Sequence, residues 1–421
     1  KLTKEETENE QLQNQENTIK GLDKSLDNMK ELDKSLKEIS KTQKEKNELN
    51  WNDKKKLENF IKRQKQQEEM MKKFSKDLQE NLENFQPDNK EEDPFKEQLK
   101  ERFQENEEQL KENEKLLDEL EKLQEKIEKE DFNEKLDNLA KQNKNQEKSL
   151  EQLIELTKRY YVAKKAEKLA DDLFKLAEKQ EKLANSPEEK NTKEEQEKLN
   201  EKFKEYQKEK KELQKDNKEL KDPMDLSDDK KGEEEVKDEQ QEATEKLEQQ
   251  NKSGASKNQK KAAKKMKEMS QQMQMQMQGG QMETLDEDIE MLRQILDNLV
   301  VFSFEQEALM EEFNVIELGN PLFGKKLIKQ NDLKLNFKHI DDSLFTLSLR
   351  QPMLGSKINK SLTSVEFNLD KSLDRLADNQ LNLGISSQQY TITGANELAI
   401  LLSDLLGNMQ EQLGMGSGSG K

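Results

Sequence analysis

The segment Gly319-Asn320-Pro321-Leu322-Phe323-Gly324-Lys325-Lys326 fits the G-x-x-x-x-G-K part of a phosphate-binding loop. In such a loop, backbone N–H groups and a lysine cradle the phosphates of a nucleotide. The next position, where a hydroxyl should hold Mg²⁺, is Lys326, and Pro321 removes one backbone donor. A turn between helices with glycine at a C-cap accounts for the segment better. Met266, Met269 and Met273 share a helical face and are followed by Met275, Met277 and Met282. Thioethers can select Cu(I), and a flexible methionine face can adapt to varied apolar partners. A plain amphipathic tract interrupted by Gly279-Gly280 is the favoured reading. Lys257 to Lys267, with Lys260, Lys261, Lys264 and Lys265 beside Met266, is a basic patch of the kind that touches anionic lipid or nucleic acid. Its acidic neighbours favour a solvated helix face. His339 is the only histidine and cysteine is absent, so neither a typical zinc site nor a Ser/His/Asp grouping can be assembled. Asp286, Asp288 and Glu290 lack the glycine and spacing of a calcium loop and read as N-terminal acids of the helix that follows. The sequence therefore assigns no catalytic, cofactor-binding or metal-ligating residue, and no cofactor.

What must position these residues is set by composition. Of 421 residues, 39% are charged and 30% hydrophobic, well below the ~45–50% apolar content of compact domains. Such a chain cannot fill thick cores, but it can line thin seams between helices, where a heptad needs only two apolar positions. The net charge of −18 comes from interleaved acids and bases, which form pairs along helix faces and make no cationic footprint for nucleic acid. No apolar run is long enough to span a bilayer. The chain starts at Lys1 and closes in a Gly/Ser run, and reads as a piece of a longer protein.

Periodicity decides between helix and disorder. Phe132, Leu136, Leu139, Asn143, Gln146, Leu150, Leu153, Thr157 and Tyr160 alternate steps of four and three, and Ala166, Leu169, Leu173, Leu176, Gln180 and Leu183 resume the pattern. A sustained repeat of this kind predicts a coiled-coil helix, with polar seam residues fixing register. Residues 1–221 are thus expected to be long coiled-coil helices with breaks near 51, 86–95 and 185–188. Asn52 and Asp53 stand out as caps of the second helix, and Ser186 with Pro187 as the start of a later one. The following seam, Leu199, Phe203, Tyr206, Lys210, Leu213, Asn217 and Leu220, is expected to be looser because of Lys210 and Asn217. Residues 222–282 read as a flexible linker, charged and then Met/Gln-rich, with short helices. Residues 283–413 carry wider apolar stripes, punctuated by Gly319, Pro321, Pro352, Gly384 and Gly394, and predict a compact helical bundle. Residues 414–421 form a Gly/Ser tail. Tyr390 to Thr393 is strand-like by residue type but reads as a helix lead-in, since no partner strand is evident. The expected fold class is all-α: extended coiled-coil hairpins followed by a C-terminal bundle.

The runs Leu156-Thr157-Lys158-Arg159-Tyr160-Tyr161, Ala166-Glu167-Lys168-Leu169-Ala170 and Leu176 to Ala184, with the Met/Gln tract and the Gly/Ser end, resemble the C-terminal half of large Bacteroidota envelope proteins that share a domain of unknown function. The resemblance covers most of the chain. It implies membrane-spanning helices and β-rich domains upstream, and a periplasmic place for this helical region. Members are sometimes labelled ATPases, a label at odds with the incomplete loop at Gly319–Lys326, and the family supplies no catalytic residues to carry over.

The function expected from these observations is a non-enzymatic structural or protein-interaction scaffold of the bacterial cell envelope. Its partners would be proteins, bound through the coiled-coil seams and the C-terminal bundle, with homo-oligomers included and nucleic acid excluded. The alternatives are an ATPase-like nucleotide binder using Gly319–Lys326 and a peripheral membrane-surface binder using Lys257–Lys267.

Overall fold

The computed structural model describes residues 4–45, 50–84, 93–123, 129–226, 228–317 and 319–418. The fold is all-α, 89% helical, with ten helices and no strand among the described residues. In chain order the helices are α1 (Lys4–Glu45), α2 (Trp51–Asn84), α3 (Pro94–Leu123), α4 (Lys129–Ala184), α5 (Lys193–Lys218), α6 (Lys230–Glu248), α7 (Lys252–Asn314), α8 (Phe323–Ser348), α9 (Ser356–Ala377) and α10 (Leu381–Gly418).

Side chains set several helix starts, because the first N–H groups of a helix have no partner within it. Asn50 Oδ1 accepts from the Asp53 N–H at 3.0 Å and Asp53 Oδ2 accepts from the Asn50 N–H at 3.2 Å. This reciprocal box makes Asn50 the cap of α2, in place of Asn52 or Asp53. Pro94 opens α3 behind Asp93, whose Oδ1 accepts from the Lys96 N–H at 3.2 Å. Thr192, and not Ser186, caps α5 by accepting from the Glu195 N–H at 3.3 Å. Ser186 instead donates to the Leu183 carbonyl at 2.8 Å, and Pro187 starts a separate turn closed by the Lys190 N–H at 2.9 Å. Asp229 caps α6 through the Gly232 N–H at 2.8 Å. Two ends use the left-handed region without glycine: Gln250 at φ 57° after α6 and Asn379 at φ 60° after α9. The Asn251 N–H returns to the Lys246 carbonyl and the Gln380 N–H to the Arg375 carbonyl, both at 2.8 Å, which turns the chain sharply at each point. Of the break expected at 86–95, Pro87 and its neighbours through residue 92 lie outside the described residues.

The chain divides into two units, one of residues 1–157 with 287–421 and one of residues 158–286. This corrects the expected layout, in which a coiled coil through 221 stands apart from a bundle after 283. Periodicity marks the apolar face of a helix but not which helix covers it. In the first unit, Leu32 and Leu36 of α1, Leu57, Phe60 and Ile61 of α2, Leu117 and Leu120 of α3, and Phe132, Leu136 and Leu139 of α4 form one core. The same part of α4 also meets the C-terminal helices: Lys371 bonds Asp137 at 2.8 Å, and Lys148 bonds Asp341 at 2.5 and 2.7 Å. This core is built from four helices of the one chain.

In the second unit, the stretch expected to be a linker is helix. Val236, Ala262, Met266, Met269 and Met273 of α6 and α7 are buried with Val162, Leu173, Phe203 and Leu213 of α4 and α5. Small alanines let the backbones approach, so few large apolar residues are needed, and composition alone undercounts such a core. The seam residues Lys210 and Asn217 are also satisfied. Lys210 pairs with Glu233 and with Asp228, and Asn217 brackets Met224, donating to its carbonyl at 2.7 Å and accepting from its N–H at 2.8 Å.

Gly384 and Gly394 do not punctuate the chain but lie inside α10, where it crosses α9. A Cβ at Gly384 would stand 2.6 Å from Leu376 Cδ2, and one at Gly394 would stand 2.9 Å from Val365 Cγ2. Tyr390 to Thr393 is helical, and α10 continues to Gly418 into the expected tail. Phe302 and Phe337 meet at 5.1 Å between ring centroids, joining α7 to α8.

Candidate functional site

The fold takes up several of the residues singled out for chemistry, while Lys325, Met275, Met282 and His339 stay exposed. Gly319, at φ 91°, and Asn320 form the turn from α7 to α8. Asn320 Oδ1 accepts from the Leu322 N–H and its carbonyl accepts from the Phe323 N–H, both at 2.9 Å. The Leu322 and Phe323 N–H groups are thus already occupied. Lys326 Nζ lies 2.5 Å from Glu312 Oε2, with Lys329 at 3.2 Å from Oε1 of the same carboxylate. Phe323 seals the turn edge-on against Phe313, 5.5 Å away.

Met266, Met269 and Met273 are core residues, and the Tyr206 hydroxyl lies 3.6 Å from Met273 Sδ. Met275 and Met282 are exposed. Within the basic patch, Lys261 pairs with Glu239 at 2.9 Å, Lys265 with Glu235 at 3.5 Å and Asp229 at 3.6 Å, and Lys267 with Glu181 at 2.5 Å. These three cations face acids of the same unit. His339 is exposed. Asp286, Asp288 and Glu290 are not first-turn acids, because α7 is already under way. Asp288 is 2% exposed on its side chain and binds Arg350 Nε at 2.7 Å. Among the described residues, no group of three or more His, Asp or Glu could hold a metal ion, and no helix is long and apolar enough to cross a membrane.

What the structure does bring together is side-chain amides, at seam positions. In the second unit Gln180 of α4, Gln196 of α5, Gln240 of α6 and Gln259 of α7 are all buried. Gln180 and Gln196 exchange hydrogen bonds at 2.8 and 3.0 Å, and Gln240 donates to Gln180 Oε1 at 3.0 Å. Gln259 donates to Gln196 Oε1 at 2.9 Å and exchanges bonds with Asn191 at 2.8 and 2.9 Å. Gln196 also donates to Asn200 at 2.8 Å. Both amide atoms of Gln180, Gln196, Gln259 and Asn191 are therefore partnered. Burying an unpartnered amide costs roughly 1–3 kcal/mol, so this layer is favourable only in the one register that pairs every member.

The first unit also buries paired amides, though Gln64 Oε1, Gln146 Nε2 and Gln388 Oε1 have no partner. Gln306 of α7 and Gln330 of α8 exchange bonds at 3.1 and 2.7 Å, and Gln388 of α10 donates to Gln330 Oε1 at 2.7 Å. Gln64 of α2 donates to Asn143 of α4 at 3.1 Å and to Glu68 at 3.2 Å, while Asn113 of α3 donates to Gln146. Burial pushes the Glu68 carboxyl up to about 7, against the pull of Gln64 and Lys72. Where α3, α4 and α9 meet, Arg102 binds Glu105 at 2.9 Å and Gln152 at 2.7 Å. Gln152 and Asn359 exchange bonds at 3.1 and 2.6 Å, and Asn359 donates to Ser149 at 3.1 Å. Glu105 Oε2 also accepts the Ser356 N–H at 3.0 Å, placing a carboxylate at the start of α9, where a helix favours negative charge.

Asn143, Gln146 and Gln180 were legible as polar seam residues. Gln196, Gln240, Gln259, Gln306, Gln330 and Gln388 were missed. The signal was present: each continues a four-three alternation, as in Ala255, Gln259, Ala262, Met266, Met269 and Met273. Neutral amides supply neither a nucleophile nor a proton carrier near neutral pH. They discriminate among registers and partners. Comparison with family models, curated proteins and solved structures finds no match to this chain.

Proposed function

We propose that this chain is a non-enzymatic scaffold, whose helices are held in one register by buried amide layers so that their outer faces are presented to protein partners. The observation that carries the reading is the Gln180–Gln196–Gln259–Asn191 network, which links three helices and the loop before α5 with no amide atom unused. Polar seam residues of this kind set register and partner number at some expense of stability. Placement in the periplasmic part of a bacterial envelope protein rests on the resemblance of the Leu156–Ala184 segment, and belongs to the same proposal.

The test is a variant in which Gln180, Gln196, Gln240 and Gln259 are all leucine. A scaffold whose layer specifies register keeps its helicity but loses its single state, giving mixed species by light scattering and doubled amide resonances. A leucine variant with the same single state as the parent overturns the reading. Saturable ATP binding by calorimetry that disappears in Lys325→Ala overturns it in favour of a nucleotide-dependent protein. For location, protease added to intact spheroplasts should digest the chain, and full protection rejects the periplasmic assignment.

A further inference from the structure

Several large apolar side chains stand exposed, from Trp51 of α2 to Ile400 of α10. Phe304 is 68% exposed, Ile400 64%, Val301 55% and Val300 40%, and they fall on α7 and α10 of the first unit. Ser303 of α7 bonds Asn396 of α10 at 2.7 Å, so the two helices lie side by side there. Gln306 and Gln388 both bond Gln330. Because Gln306 follows Ser303 while Gln388 precedes Asn396, the helices run antiparallel. One turn from Ser303 toward the start of α7 is Val300, and one turn from Asn396 toward the end of α10 is Ile400. Helical spacing puts Phe304 on the same outward side. Val300, Phe304 and Ile400 therefore make one apolar strip along the α7–α10 groove.

The charge around this strip departs from the rest of the chain. No Lys or Arg occurs from Gln294 to Gly324 or from Leu376 to Gly420, whereas acids and bases are interleaved elsewhere. Asp297, Glu307 and Glu311 on α7, and Glu397, Asp404 and Glu411 on α10, are exposed along it. None of these carboxylates has an ion-pair partner among the described residues. An apolar strip rimmed by a single sign of charge selects a partner with the opposite rim. A second copy docked face to face would set these acids against themselves, and an anionic lipid surface would be repelled in the same way.

We propose that the α7–α10 groove docks a cationic amphipathic helix of another protein, whose apolar face covers Val300, Phe304 and Ile400 while its Lys or Arg residues meet the acidic rim. This rests on the scaffold reading and names the partner chemistry of one face. The probe is a synthetic helix of about 18 residues with leucine at i, i+3, i+4 and i+7 spacing and lysine elsewhere, titrated into the full chain by fluorescence anisotropy. Saturable binding is expected, weakened by at least about tenfold in Phe304→Ser/Ile400→Ser and in Glu307→Lys/Glu397→Lys. Ile328→Ser, an exposed apolar residue of α8, should leave it unchanged. All these positions are exposed, and an unchanged circular dichroism melt verifies folding. Equal binding by the Phe304→Ser/Ile400→Ser variant overturns the proposal, as does equal binding of a glutamate-for-lysine peptide. A dimer of the chain alone that this variant abolishes, or its cosedimentation with anionic vesicles through the same residues, overturns it in favour of another occupant. The scaffold reading is decided separately by the leucine variant of the amide layer, so the two failures are distinguishable.

Discussion

Arg102 Nη2 on α3 donates to Gln152 Oε1 on α4 at 2.7 Å, with the arginine side chain only 4% exposed. Its Nη1 holds Glu105, which in turn accepts the first N–H of α9. Desolvation pulls the guanidinium below its usual pKa and Glu105 opposes the shift. One buried cation thus ties three helices through a carboxylate and an amide.

Arg102→Ala removes one of the two donors to Gln152 Oε1, leaves Glu105 without its cation, and opens a cavity. Breaking a buried pair by removing one partner typically costs ~3–5 kcal/mol. Amide hydrogen exchange in α3 and in the start of α9 should accelerate by at least about a hundredfold. Arg102→Met, which keeps the volume, should accelerate it several-fold less. Equal protection in the Ala variant and the parent would show that the network carries no stability.

The amide layers give opposite signs at two buried positions. Gln196→Leu strands Gln180 Nε2 and takes one bond each from Gln259 and Asn200, and should lower stability by about 2 kcal/mol, since a stranded buried group costs ~1–3 kcal/mol. Asn106 is 3% exposed and neither of its amide atoms has a partner. Asn106→Leu, with the same number and branching of side-chain heavy atoms, should therefore raise stability by about 1 kcal/mol. Urea denaturation of the two variants against the parent checks both, and the same sign for both would refute the argument.

Glu68 gives the pH dependence. Its folded pKa is about 7, raised from 4.5 chiefly by burial. Below pH 4.5 the carboxyl is protonated in both states and imposes no penalty. As pH rises toward 7 the unfolded chain releases the proton while the folded chain holds it, so stability falls, by about 3 kcal/mol once the folded pKa is passed. Glu68→Gln should accordingly melt higher than the parent at pH 8 and alongside it at pH 4.5. A gap of constant size across this range would place the effect elsewhere.

How much of this was legible in the sequence follows from what each signal encodes. Leu57, Leu120, Leu136 and Phe203 announce helices and their buried faces through spacing alone. The partner of each face was not legible, because Leu136 looks the same whether covered by α2 or by a second chain. The stretch around Ala255, Gln259 and Ala262 read as linker because alanine and glutamine score as weakly apolar or polar. In the fold, alanine permits close approach and glutamine finds glutamine. The turns at Gln250 and Asn379 lacked the glycine expected at a left-handed position. The pairing of Lys326 was hidden as well: a lysine where a phosphate-binding loop needs a hydroxyl shows no partner until Glu312, on the preceding helix, is seen beside it.

The glycines of α10 separate backbone propensity from packing within one helix. A Cβ added at Gly407 would meet no atom within 4 Å, whereas one added at Gly384 would stand 2.6 Å from Leu376 Cγ and Cδ2. Alanine is favoured over glycine in a helix interior by about 1 kcal/mol, so Gly407→Ala should stabilise by that amount. At Gly384 the same gain is opposed by overpacking, which costs ~1–3 kcal/mol when the neighbour must be displaced. Leu376 is fully buried where α9 ends, so it has no empty space to enter, and Gly384→Ala should be net destabilising. Thermal melts of the two single variants read the contrast directly. If both rise equally, α9 and α10 are not in the close contact that places Leu376 against Gly384.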